Sequence, residues 1–207
     1  MLGIIDYGSG NFSSVMNAMN LLCSDIVPVR TPNDLEACER LILPGVGAFG
    51  AAMKSLESLS LLGALEKAVL KEKKPFLGIC VGMQILARKG YEFGENPGLG
   101  WIDASVRRFE LHDSDLLLPH IGWNNVEDHA EQILFQGINS EEPSFYFVHS
   151  YCMEIPLDGD VEVTLCRYEK PFVAAVRKGN IFGVQFHPEK SQKNGLRVLK
   201  NFLEYRG

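Results

Sequence analysis

The sequence predicts an α/β fold: a single three-layer domain spanning residues 1–207, with a mostly parallel central sheet and an antiparallel extension. Three observations predict it. Through residues 1–90, short apolar runs alternate with segments of helical period, the pattern of a parallel sheet covered on both faces. A cysteine between glycines stands where one such run meets the helix after it. Beyond Gly90 the apolar runs give way to alternating apolar and polar residues, as in half-buried antiparallel strands.

Residues 2–6 form the first apolar strand, which stops at the turn Gly8-Ser9-Gly10. A helix follows, with Val15, Met16, Met19 and Leu22 at helical spacing. Apolar strands are expected at residues 26–29 and 41–43, the second ended by Pro44-Gly45. Residues 48–73 read as helix with a break at Ser60 or Gly63. Pro75-Phe76-Leu77-Gly78-Ile79 is a buried strand running into Cys80, and residues 81–88 read as the next helix. Gly94, Pro97, Gly98 and Gly100 then mark a loop. Alternating strands are expected at residues 104–109, 145–149, 161–166, 172–177 and 181–186. The last two flank Lys178-Gly179-Asn180, a hairpin turn. Residues 191–205 form a closing helix with Leu196, Leu199 and Phe202 on one face.

With 46% hydrophobic and 22% charged residues, the chain has the balance of an ordinary globular domain. Its net charge of −6 argues against a nucleic-acid surface, which needs a basic field. No apolar run approaches a membrane span, and Asp6 with its neighbouring glycines interrupts any signal-peptide core. The five cysteines, Cys23, Cys38, Cys80, Cys152 and Cys166, are odd in number and lack CxxC spacing. That excludes a zinc ribbon and argues against a disulfide framework. The expectation is a reduced, cytoplasmic protein with no metal, no cofactor, and no nucleic-acid or membrane partner.

Gly78-Ile79-Cys80-Val81-Gly82 carries the first chemical signal. A sharp strand-to-helix turn lifts a nucleophile above the sheet, and flanking glycines leave room for it, as in the α/β-hydrolase elbow with Cys in place of Ser. The first amides of the following helix would face the sulfur and favour its negative form. The other four cysteines fit the commoner role of buried structural residues.

A cysteine nucleophile needs a base. The best candidate is His187, where the run Phe182-Gly183-Val184-Gln185-Phe186 ends and Pro188 stops the strand. Glu189, two residues on, is placed to orient the imidazole. His112 and His129 read as surface residues, but His149 also ends an apolar strand. Only the elbow and Glu189 separate His149 from His187.

Leu43-Pro44-Gly45-Val46-Gly47-Ala48-Phe49 supplies the third element. Glycines just past a strand let the amides around Val46 and Gly47 face a developing negative charge, with the Val81 amide as a further donor. Loss of one such donor typically costs about 3–4 kcal/mol. Taken alone, this loop is an ordinary strand-to-helix turn. Gly8-Ser9-Gly10-Asn11 suggests dinucleotide binding, but Ser13 breaks the GxGxxG pattern and Val29-Arg30 stands where an acidic residue would be. A tight turn, or a loop facing a partner, fits better.

Together these three motifs resemble the class I, triad-type glutamine amidotransferases. The resemblance lies in Pro44-Gly45-Val46-Gly47, in the elbow from Gly78 to Gln84, and in Phe186-His187-Pro188-Glu189. The whole chain is similar to the glutaminase subunits of imidazole glycerol phosphate synthases, through Pro119-His120-Ile121-Gly122-Trp123-Asn124 and Tyr146-Phe147-Val148-His149-Ser150-Tyr151. The resemblance implies a triad of Cys80, His187 and Glu189, with an oxyanion hole at Val46, Gly47 and Val81. It implies a glutamine pocket at Gly45, Gln84, Ser150 and Tyr151, and a partner face carrying Asn11, Trp123, Tyr146 and Lys190. It further implies a heterodimer in which a (β/α)8 cyclase subunit receives ammonia through a channel for histidine biosynthesis.

Two stretches depart from that family: Ile121 stands where Met is usual, and the segment from Lys89 to Gly98 replaces a Ser-Glu-Glu motif. The second keeps open a paralogous glutaminase serving a surface-sugar amidotransferase. A stand-alone cysteine hydrolase is a further alternative, and a non-catalytic nucleotide-binding or scaffold module a third, which the intact triad disfavours.

Overall fold

The computed structural model describes residues 1–112, 116–127, 132–138, 143–155 and 159–207. The chain opens with β1 (Leu2–Ile5), α1 (Phe12–Asn20), β2 (Ile26–Val29), α2 (Pro32–Glu36) and β3 (Arg40–Leu43). The short α2 was not expected; Thr31 and Asp34 close a capping box around it and Pro32 opens its first turn. Next come α3 (Phe49–Ser58) and α4 (Leu61–Glu66), the latter continuing as a π-helical turn over Lys67–Lys71. The break falls at Ser60, whose backbone is left-handed at φ 57°.

Then β4 (Phe76–Ile79) leads into α5 (Val81–Gln84). The helix expected over residues 81–88 ends after one turn, and the chain re-enters a sheet as β5 (Ala87–Gly90). The reason is tertiary. Ile85, Leu86 and Ala87 are wholly buried. The carbonyls from Ile85 to Arg88 accept amides of Gly98, Leu99, Gly100, Trp101 and Ile102. A later segment of the same chain thus pairs with those carbonyls as a neighbouring strand would, and it draws residues 85–88 into the sheet. The remaining elements are β6 (Asn96–Pro97), β7 (Ile102–Arg108), β8 (His120–Glu127), β9 (Ser144–His149), β10 (Tyr151–Met153), β11 (Glu162–Tyr168), β12 (Lys170–Lys178), β13 (Ile181–Val184) and α6 (Gln192–Glu204). Strand β8 alternates only weakly, and periodicity did not mark it.

The main sheet runs β2-β1-β3-β4-β13-β12-β11-β8-β9. Pairings from β2 to β13 are parallel and those from β13 to β9 antiparallel, so the sheet is mixed. A smaller sheet, β10-β7-β5-β6, packs beside it. In the parallel half β1, β3, β4 and β13 are buried along their whole length. Their continuous apolar runs reflect cover on both faces. The β12–β13 hairpin turns at Gly179-Asn180, as the sequence indicated. No helix among the described residues is long and apolar enough to cross a membrane.

Candidate active site

Cys80 follows the last residue of β4, at the centre of the sheet, with φ 54° and ψ −109°. A non-glycine residue there is strained, by about 1–3 kcal/mol, and its neighbours hold it in place. The adjoining glycines have no room for a side chain. A Cβ on Gly78 would run into the Gly82 carbonyl, and one on Gly82 into the Leu43 carbonyl. The elbow is therefore fixed by two close backbone approaches.

His187 lies just past β13. Its amide donates to the Tyr146 carbonyl at 2.9 Å and its carbonyl accepts the Ser191 hydroxyl at 2.7 Å, which clamps it to β9 and to the start of α6. Its Nδ1–H donates to Glu189 Oε1 at 2.9 Å, and both side chains are fully buried. Nε2 makes no hydrogen bond among the described residues and is left for the Cys80 sulfur. Burial opposes charge on the ring. The Cys80 sulfur beside the ring and the hydrogen-bonded Glu189 carboxylate outweigh it and raise the imidazole to about 10. Burial likewise acts to raise Glu189, but the His187 bond and charge and the Asn11 amide hold it below the usual carboxylate range.

His149 is in a different state. It bonds to the Tyr151 carbonyl and to His120, bonds to no carboxylate among the described residues, and is depressed to about 3 by burial. The two histidines that the sequence left in contention are thus separated by their partners. His112 is exposed; His129 lies outside the described residues.

The oxyanion loop departs from expectation. The Val81 amide donates to the Gly45 carbonyl at 3.3 Å, and the Val46 amide to the Ser9 hydroxyl at 3.2 Å. Two of the three expected donors, the Val46 and Val81 amides, are thus engaged with protein in this state. Gly47, at φ 103°, keeps a backbone conformation that glycine tolerates best.

A cavity of about 650 Å³ joins these parts, lined by Val46, Gly47, Cys80, Val81, Gln84, Ser150 and Tyr151, together with Glu92, Phe93, Arg108 and His149. Gly45 lies beneath it, against Val81 and the Tyr7 hydroxyl. Gln84 reaches the Tyr151 carbonyl and the Gln185 side chain, each at 3.0 Å, and Gln185 in turn reaches the Cys80 sulfur at 3.6 Å. The larger groove, about 860 Å³ beside Arg88, Lys89, Asp103 and Glu154, is edged by ion pairs and contains no cysteine or histidine among its lining residues.

Of the expected partner-face residues, Trp123 is 49% exposed, Tyr146 meets it edge to face, and the Lys190 ammonium lies 5.8 Å from the Tyr146 ring centre. Asn11 differs from these in its surroundings. It is buried, and its amide donates to Glu189 Oε1 at 3.1 Å while its carbonyl oxygen accepts the Ser9 hydroxyl at 2.6 Å. The loop that suggested a nucleotide site braces the carboxylate instead. Sequence reading missed Gln185 and Glu92. Gln185 had a signal: it is the one polar residue in the buried run from Phe182 to Phe186.

The profile of the family described as Glutamine amidotransferase class-I matches residues 3–205. The chain belongs to that family. It is 46% identical over 204 residues to "Imidazole glycerol phosphate synthase subunit HisH 2" of Pseudomonas aeruginosa, covering 99% of both chains. It is 44% identical to "Imidazole glycerol phosphate synthase subunit HisH 1" of Campylobacter jejuni, covering 98% of each. Among solved structures, one titled "Crystal structure of glutamine amidotransferase" superposes with a TM-score of 0.76 at 24% identity, over 98% of this chain and 97% of that one. The family is one of enzymes, and its fold is the one described above.

Proposed function

We propose that this chain is the glutaminase subunit of an imidazole glycerol phosphate synthase, hydrolysing glutamine at Cys80 and passing ammonia to a (β/α)8 cyclase partner. The observation that carries the chemistry is the buried His187–Glu189 bond beside the strained Cys80 elbow. The acceptor follows the relatives bearing that subunit's name along essentially their whole length.

In this reading the Cys80 sulfur attacks the side-chain amide carbon of glutamine, and the carbonyl oxygen becomes an oxyanion. His187 takes the thiol proton and gives it to the departing nitrogen, releasing ammonia and leaving a γ-glutamyl thioester. Water, deprotonated by His187, then attacks the thioester; glutamate leaves and the thiol is restored. Glu189 stabilises the charged imidazole, and Asn11 holds Glu189. Gln84, Ser150 and Tyr151 form the wall against which glutamine sits.

The Val46 and Val81 amides are both occupied, so glutamine turnover waits for the Gly45–Val46 peptide to turn over. Partner binding would drive it. Ile121 and Trp123, 59% and 49% exposed on one face of β8, form with Tyr146 and Lys190 an apolar and cationic surface for that partner. Coupling has a chemical reason, because ammonia released into neutral water becomes ammonium and ceases to be a nucleophile. The test is glutamate release by the purified chain with and without the barrel protein that co-purifies with it. Equal rates would favour a stand-alone cysteine hydrolase.

A further inference from the structure

Two buried histidines have no part in that chemistry. His120 on β8 and His149 on β9 face each other directly across the antiparallel pair. His120 Nδ1 lies 3.2 Å from His149 Nε2, and His149 Nδ1 lies 2.9 Å from the Tyr151 carbonyl oxygen. At the other end the Asn124 side-chain nitrogen lies 3.4 Å from His120 Nε2. A carbonyl only accepts, so His149 carries its proton on Nδ1 and its Nε2 must accept. His120 Nδ1–H is then the donor to His149, and His120 Nε2 accepts from Asn124. One carbonyl fixes every role along the chain.

The rings cannot turn away. His120 stacks on Tyr168 at 4.0 Å and His149 packs at 5.0 Å from Phe172, in a cluster that also holds Phe109 and Phe147. Burial depresses His120 to about 4 and His149 further, so both are neutral at working pH and the order of donors does not change.

The two ends of the chain are what matter. The Tyr151 carbonyl that accepts from His149 also accepts Gln84 Nε2 at 3.0 Å, and Gln84, His149 and Tyr151 line the cavity above Cys80. On β8, His120 and Asn124 point inward while Ile121 and Trp123 point outward. We propose that the His120–His149 pair is a positioning device, which ties the Tyr151–Gln84 wall of the glutamine pocket to the strand whose outer face meets the partner. This rests on the reading of the cavity as the glutamine site. Neither histidine touches the reacting atoms; each acts through Tyr151 and Gln84.

The test uses four variants of the full chain in the complex purified from its native cell. His120→Phe and His149→Phe keep a ring in the cage and remove the hydrogen bonds. His120→Asn and His149→Asn put an amide donor in place of Nδ1. The Phe variants should raise KM for glutamine about tenfold, the effect of one lost buried hydrogen bond, with kcat changed by less than about threefold. The Asn variants should recover most of that KM. Alkylation of Cys80 by iodoacetamide, which needs no glutamine pocket, should proceed at the wild-type rate in all four. An unchanged KM in both Phe variants overturns the proposal, as does an Asn variant no better than its Phe counterpart. Imidazole nitrogen chemical shifts of the wild type give an answer independent of activity: both rings should be neutral with the proton on Nδ1. An Nε2–H ring at either position overturns the relay even if every variant misfolds. Wild type that releases no glutamate would sink the assigned function instead, and the tautomers would still decide the relay.

Discussion

The Val81 amide donates to the Gly45 carbonyl oxygen at 3.3 Å, so the donor that a tetrahedral oxyanion would need already has an acceptor. The same peptide group presents its other end, the Val46 amide, to the Ser9 hydroxyl at 3.2 Å. One peptide rotation would break both bonds, free Val81 and turn the Val46 amide towards the cavity. The Ser9 hydroxyl also donates to Asn11, which holds Glu189, so this loop and the triad share a hydrogen-bond network.

Ser9→Ala should therefore raise the glutaminase rate of the isolated chain. The lost bond is worth about 1 kcal/mol, so a gain of about fivefold is expected, with a smaller change once the partner is bound. Steady-state glutamate release with and without the partner measures both. A rate that falls or stays level in the isolated variant would mean that Ser9 does not hold the resting state.

Cys80→Ala should abolish glutamate release while a partner supplied with ammonium salt keeps turning over. A glutamine-mimicking electrophile should label Cys80 and spare the other four thiols. Burial pushes Cys152 and Cys166 up to about 12 and raises Cys23 and Cys38, which keeps all four protonated. Mass mapping of the label to any of those four would count against the elbow as the reactive site.

His187→Ala should lose glutaminase activity by at least about a thousandfold, near the upper end of what general acid–base catalysis contributes. Glu189→Gln should lose less, about tenfold to a hundredfold, because an amide still holds the ring but no longer stabilises its charge. Asn11→Ala should fall closer to wild type than either. If His149→Ala is the dead variant and His187→Ala is active, the base has been misassigned.

How much of this was legible beforehand depends on whether a residue's neighbours lie close in sequence. The elbow, the His187-Pro188-Glu189 turn and the buried parallel strands are local patterns, and the structure contains each of them. The shortened α5 was not legible, because the competing amides of residues 98–102 come from another segment. The inward turn of Asn11 was not legible either, since its partner Glu189 is 178 residues away. The closed oxyanion loop depends on which way one peptide faces, and no residue type reports that.

Stability should fall as the solution is acidified from about pH 6.5 towards pH 4. His120 and His149 are held neutral in the fold, to about 4 and about 3, whereas an unfolded histidine takes up a proton near 6.5. The unfolded state then binds more protons, and each group costs about 1.4 kcal/mol per pH unit across that range. His187 has the opposite sign: its raised value contributes fully below about 6.5 and is lost as pH rises towards 10. The lowered value of Glu189 contributes above its unfolded range near 4.5 and fades as pH falls. Between pH 4.5 and 6.5 the slope therefore belongs to His120 and His149. Urea midpoints at several pH values should show it, and a His120→Phe, His149→Phe double variant should flatten the curve. An equally steep curve in that variant would assign the slope to other groups.

The proposed acceptor of the ammonia can be weighed on the stretch from Lys89 to Gly98, where the family resemblance leads one to expect a Ser-Glu-Glu motif. The structure shows what that stretch does. Glu92 Oε2 accepts the Phe49 amide at the start of α3, and the Asn96 side chain donates to the Glu92 and Gly94 carbonyls. Tyr91 packs under the Arg107 guanidinium, 4.0 Å from the ring centre. Glu92 and Phe93 line the cavity above Cys80, so the segment is anchored at the mouth of that cavity, apart from the exposed face of Ile121 and Trp123. A change there alters how glutamine enters more directly than which synthase docks. The expected outcome is that this chain, expressed in a histidine-requiring strain lacking only its own glutaminase subunit, restores growth, and that Cys80→Ala does not. If rescue fails although the chain folds and pairs with its native barrel partner, ammonia transfer to a sugar acceptor should be measured alongside transfer to the histidine precursor. Transfer to the sugar alone would move the protein to the surface-sugar pathway and leave the chemistry at Cys80 untouched.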